Sequence, residues 1–79
     1  MLKIKDNVDL SGLDKFGFKP DYYVDEKVYV KKFKKGLFYK EEMIIYCNDR
    51  NIQVTNNGQI LLGTLYDLIK ADLVEKVEG

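Results

Sequence analysis

The sequence predicts an α+β domain: a short N-terminal helix, an antiparallel β-meander of four to five strands, and a C-terminal helix packed on the sheet. Three observations predict it. Leu10, Leu13 and Phe16 recur at helical spacing ahead of the single proline, Pro20. From Tyr22 to Leu62 the apolar period changes to two and β formers dominate. After Gly63-Thr64, Leu65, Leu68 and Ile69 return to helical spacing.

The N-terminal helix has its own start and stop signals. Asp9 can cap it, because its carboxylate accepts from the free N–H groups of a first turn. Gly17 suits the left-handed position that ends a helix. Gly12 lowers helical propensity, so two turns at most are expected.

In the meander, Val28, Val30 and Lys32 alternate with Tyr29, Lys31 and Phe33. Lys34-Lys35-Gly36 reads as a three-residue hairpin loop, with Gly36 at positive φ. Leu37 to Cys47 is long for one strand, and Glu41-Glu42 is where a bulge or bend would reset the inward phase. Met43, Ile45 and Cys47 share one face; Ile44 and Tyr46 share the other. Asn48-Asp49-Arg50-Asn51 is a turn by composition, and Ile52 to Asn56 is the next strand. Asn57-Gly58 signals a two-residue type I′ hairpin that would pair Val54 with Leu61 and Thr55 with Ile60.

Gly63-Thr64 ends the sheet and Thr64 caps the following helix, with Asp67 and Lys70 outward. Leu73 to Val77 reads two ways. Leu73 and Val77 continue the helical stripe by fours from Ile69. A left-handed Asp72 would instead break the helix and leave a short extended tail, which is the favoured reading.

The chain has 79 residues, enough for one small domain spanning 1–79 with no room for a large internal pocket. A domain this size buries only roughly 60–65% of its unfolded surface. Lys and Arg number 13 against 13 Asp and Glu, which argues against a generic polyanion binder. There is no His, so the commonest general base and metal ligand are both missing. The one cysteine, Cys47, cannot form an internal disulfide or a cysteine-based zinc site. No apolar run approaches the ~18 residues of a membrane span. Met1 to Lys5 lacks the apolar core of a signal peptide, so a cytoplasmic location is expected.

Val8-Asp9-Leu10 and Leu13-Asp14-Lys15-Phe16-Gly17-Phe18 stand near the start. Leu65-Tyr66-Asp67-Leu68-Ile69-Lys70-Ala71 and Leu73-Val74-Glu75-Lys76-Val77 stand near the end. Together these segments resemble small uncharacterised proteins of phages and prophages of low-GC Gram-positive bacteria. The resemblance implies a short helix, a β-meander, and a helix followed by a hydrophobic tail. The position of Asp72 is commonly Gly in that group, which favours a helix break; Asp72 departs from the pattern. The shared motifs are structural, so they imply a mobile-element context and carry over no site residue.

The sharpest local feature is Lys27 to Lys40, with six lysines before the acids at 41 and 42, interleaved with Tyr29, Phe33, Phe38 and Tyr39. Rings flanked by cations hold single-stranded nucleic acid by stacking and phosphate attraction. The plainer reading is an exposed hairpin whose lysines prevent edge-to-edge aggregation. A single Arg in the chain weighs against nucleic acid. Glu41 and Glu42 point to opposite faces and cannot form a dyad without a bulge; the acidic pairs read as solvated surface. Cys47 reads as a small core hydrophobe without a base to activate it.

The six tyrosines exceed what so small a core needs, and Tyr is enriched at interfaces. A second sheet face carrying Ile44, Tyr46, Ile60 and Leu62 is too apolar to be fully solvated, so helices or a partner should cover it. The expected function is therefore a non-enzymatic protein-interaction module, an accessory or inhibitor protein of a mobile element. Its expected partner is another protein or a second copy in a homodimer with at least one Tyr in the interface. The alternative is a small nucleic-acid-binding protein using the hairpin 27–40. Candidate partner-binding residues are Tyr29, Lys31, Phe33, Lys35, Tyr39 and Tyr46. No catalytic residue, cofactor, metal or membrane partner is expected.

Overall fold

A computed structural model describes residues 1–55 and 61–77. Its elements are β1 (Leu2–Ile4), a 3-10 helix (Leu10–Phe16), β2 (Lys19–Tyr23), β3 (Glu26–Lys35), β4 (Tyr39–Tyr46), β5 (Ile52–Val54), α1 (Leu62–Lys70) and β6 (Val74–Lys76). The fold is α+β. β2-β3-β4-β5 form an antiparallel four-stranded sheet, and β1 and β6 form a second, two-stranded one. The sequence pattern allows a closing strand within Leu73 to Val77, where β6 forms, but marks neither β1 nor its pairing with β6. Three residues give too short a pattern to read, and the partner strand lies at the other end of the chain.

The N-terminal helix is 3-10 rather than α. Leu10, Leu13 and Phe16 repeat every three residues, which is the 3-10 period, and Gly12 removes α propensity. Asp9 caps it as expected: its Oδ1 accepts from the Ser11 amide at 3.0 Å and the Ser11 hydroxyl at 2.8 Å. Gly17 closes it at φ 94°, with Lys31 Cε only 3.1 Å from where a Cβ would stand. Pro20 sits in β2, an edge strand, where a missing N–H is tolerated.

β3 and β4 pair without a break from Val28 opposite Tyr46 to Lys35 opposite Tyr39. No bulge occurs at Glu41-Glu42. The phase is continuous because Glu41 itself points inward and is fully buried. The turn is Gly36 to Phe38, displaced from the expected Lys34-Lys35-Gly36, with Gly36 at φ 67° as anticipated. The Asn57-Gly58 hairpin lies outside the described residues. Its expected pairing of Val54 with Leu61 does not form, because Leu61 is the helical N-cap of α1. Thr64 is not the cap either; it lies inside the first turn and is buried.

The end of α1 follows the favoured reading. Asp72 takes φ 62°, its N–H donates to Ile69 O at 2.9 Å, and Leu73 N–H donates to Leu68 O at 3.1 Å. This is a Schellman closure with Asp in the place usually held by Gly. Leu68 and Leu73 meet in the core, and the chain continues as β6 beside β1.

Ile4, Leu13, Phe18, Met43, Ile45, Leu61 and Leu68 form the main core on one face of the sheet. On the opposite face Val28, Val30 and Ile44 are buried beneath Tyr23 and Tyr46. Within the chain that face is covered by its own tyrosines, where a covering helix was one expectation. Leu62, assigned to that face from the sequence, opens α1 instead, and Ile60 lies outside the described residues.

Candidate interaction surface

The register isolates the end of the β3–β4 hairpin. The last β2 pair is Lys19 with Val30, and the last β5 pair is Val54 with Met43. The Thr55 amide still donates to Glu42 O at 3.0 Å, and among the described residues β3 and β4 then continue as a two-stranded ribbon to the Gly36–Phe38 turn. Leu37 is 93% exposed and Phe38 99% exposed. Lys34 stands directly opposite Lys40, a like-charge pair that opposes strand pairing. Lys40 is offset by Glu42 at 3.1 Å. Among the described residues, the Lys34 and Lys35 side chains make no ion pair or hydrogen bond.

The six candidate residues are not brought onto one surface. Tyr29 and Phe33 are half-buried against the main core, on the inward face. Lys31 lies between them on that face. Its ammonium donates to Phe16 O at 2.9 Å and to Thr64 Oγ1 at 2.8 Å, joining the 3-10 helix to α1. A cation suits the negative C-terminal end of a helix. Tyr46 is on the other face, with its hydroxyl on Gln53 at 2.9 Å. Lys35 and Tyr39 alone of the six are exposed near the tip.

Two carboxylates that read as surface have specific partners. Glu41 Oε1 accepts from the Leu61 N–H at 3.0 Å, and its other oxygen accepts from the Tyr39 hydroxyl. Glu41 therefore does for α1 what a local side-chain cap would do, from a strand of the sheet. Its hydrogen bond pushes the Tyr39 phenol above its ordinary pKa, and desolvation adds to this. Glu42, on the opposite face, accepts from the Tyr23 hydroxyl at 2.5 Å. That bond holds Glu42 below the usual carboxylate range, with Lys40 acting in the same sense against desolvation. It also raises Tyr23 to about 12, with burial the next cause.

A second exposed apolar feature lies on α1. Leu65 and Leu68 face the core, whereas Leu62, Tyr66 and Ile69 are 50%, 62% and 49% exposed. Residues four and three apart share a helical stripe, so these three form a ridge. The Lys70 ammonium lies 5.7 Å from the Tyr66 ring centre and flanks it. The signal was present in the sequence as a second apolar stripe on the same helix. Ile69 follows Leu65 and Leu68 at helical spacing, so periodicity alone places it with the core stripe.

Cys47 is half-buried, and desolvation pushes its thiol up, which disfavours the reactive thiolate. Among the described residues, no group of three or more Cys, Asp or Glu is placed to hold a metal ion. No described helix is long and apolar enough to cross a membrane. Compared with known protein families, curated proteins and solved structures, the chain matches none.

Proposed function

We propose that this domain is a non-enzymatic protein-interaction module that works through the Leu62-Tyr66-Ile69 ridge of α1, with a second copy of the chain as the first partner. The observation that supports this reading is the ridge itself. A nine-residue helix already packed by Leu65 and Leu68 has no folding need for a second apolar stripe. The ridge is also self-complementary. About a two-fold axis beside Tyr66, Leu62 of one copy lies opposite Ile69 of the other. Tyr66 supplies the interface tyrosine. The chemistry is consistent with binding rather than catalysis, since the sequence has no His. The likeness of the chain ends to phage and prophage proteins supports an accessory or inhibitor role in a mobile element.

Three half-exposed side chains supply only part of the roughly 1,200 Å² of a stable interface. The dimer is therefore weak, with dissociation on the order of 100 µM. Light scattering across concentration tests this. The native chain should approach dimer mass at high concentration. Tyr66→Lys should remain monomeric with an unchanged circular dichroism spectrum. A native chain that stays monomeric up to about 1 mM would remove self-association as the function of this ridge.

A further inference from the structure

We infer that the β3–β4 hairpin tip is a docking point for an anionic lipid surface, with Leu37 and Phe38 entering the headgroup boundary and Lys34 and Lys35 meeting lipid phosphates. Three features of the finger support this inference. Among the described residues, the ribbon runs past both flanking strands to its tip. Leu37 and Phe38 are 93% and 99% exposed at its end, so packing does not explain their apolar character. The Lys34 and Lys35 side chains make no ion pair among the described residues, so both cations are available to an anionic surface.

The charge of the sheet is also divided along its length. Asp25 and Glu26 stand at the β2–β3 turn, and Asp49 follows β4 at that same end. Lys32, Lys34, Lys35 and Lys40 stand towards the opposite end; Glu41 and Glu42 lie among them, and Lys34 and Lys35 stand beyond those acids, nearest the tip. A chain of zero net charge thus presents a basic, apolar-tipped end to an anionic surface. Apolar residues in the boundary and lysines at the phosphates are the two additive sources of peripheral membrane binding. Such contact needs no spanning helix.

A single-stranded nucleic acid would use the same lysines but needs rings to stack on. Tyr29 and Phe33, two of the rings that alternate with those lysines, are half-buried against the core, and Tyr39 is tied to Glu41; this leaves Phe38 beside the aliphatic Leu37 at the tip, a pair that suits a headgroup boundary better than a run of stacked bases. The bilayer is therefore the better fit to this tip. The inference is independent of the α1 ridge.

Co-sedimentation of the full chain with vesicles tests it. Vesicles rich in phosphatidylglycerol should bind the chain at low salt, and pure phosphatidylcholine vesicles should not. Each of Lys34→Gln and Lys35→Gln should weaken binding by about fivefold. Phe38→Ser should weaken it by about tenfold or more. Lys15→Gln, on the 3-10 helix, should leave it unchanged. All of these positions are exposed, so circular dichroism should match the native protein. Three results would each overturn the proposal: no sedimentation with anionic vesicles at low salt, native binding by Phe38→Ser, or tighter binding to a single-stranded oligonucleotide than to vesicles.

Discussion

The Tyr23 hydroxyl reaches from an edge strand over β3 to Glu42 on β4, at 2.5 Å. In register, Tyr23 stands opposite Glu26, and Glu42 stands opposite Lys32. The bond thus crosses the sheet diagonally above Val28 and Val30, which requires a strongly coiled sheet. It closes an apolar face of the sheet without a helix.

This bond should be visible in the dependence of stability on pH. Tyr23 is raised from 10.0 to about 12 in the folded chain, so its contribution is complete below about pH 10 and is lost as pH rises towards 12. Glu42 is lowered from 4.5, so its contribution is present above that value and is lost as pH falls through its lower folded pKa. Tyr23→Phe should cost about 1–2 kcal/mol at neutral pH. It should also flatten the loss of stability between pH 10 and 12. Urea midpoints across pH measure both effects, and identical pH profiles for the two proteins would remove Tyr23 from this role.

Buried Glu41 gives a contrast between two substitutions. Glu41→Ala leaves the Leu61 N–H and the Tyr39 hydroxyl without their acceptor and should cost about 2–4 kcal/mol. Glu41→Gln keeps an amide oxygen for Leu61 and should cost about 1 kcal/mol. Chemical denaturation of both variants decides the matter. Equal losses would mean that the carboxylate charge, rather than the acceptor oxygen that Gln retains, is what the position supplies.

Lys31 makes a related prediction for the other helix. Lys31→Met keeps the stem packed beside Gly17 but deletes the bonds to Phe16 O and Thr64 Oγ1. A loss of about 1–2 kcal/mol is expected. Amide exchange should quicken first in the 3-10 helix, and unchanged exchange there would show that the ammonium contributes nothing to its closure.

Val24 is 97% exposed at φ 59°, in the two-residue turn between β2 and β3. A β-branched residue is strained in that conformation. Val24→Asn, which tolerates it, should raise stability by about 0.5–1 kcal/mol in thermal unfolding. A lower melting temperature would show that the valine side chain has a contact of its own.

Much of the architecture was legible because it is encoded locally. Asp9 and Gly17 bracket a short helix, the period of two marks β3 and β4, and Asp72 permits the left-handed turn that frees β6. The candidate surface was less legible. Lysines and rings alternate along β3, and alternation alone does not say which set faces the core. Tyr29 and Phe33 went inward because Met43 and Ile45 sit opposite their face, taking Lys31 with them.

By itself the sequence determined the α+β class, the meander, both helix stops and the absence of histidine chemistry, since each follows from spacing, propensity or composition. Only the tertiary structure decided that Glu41 is buried, that Tyr23 and Tyr46 cover the second face, and that free apolar surface lies on α1 and at the hairpin tip. The reason is physical. The N-cap acceptor for α1 comes from a residue 20 positions away on β4, and the Tyr23–Glu42 bond depends on the coiling of three strands. Neither relation exists until distant segments are packed together, so no local pattern of residues can carry it.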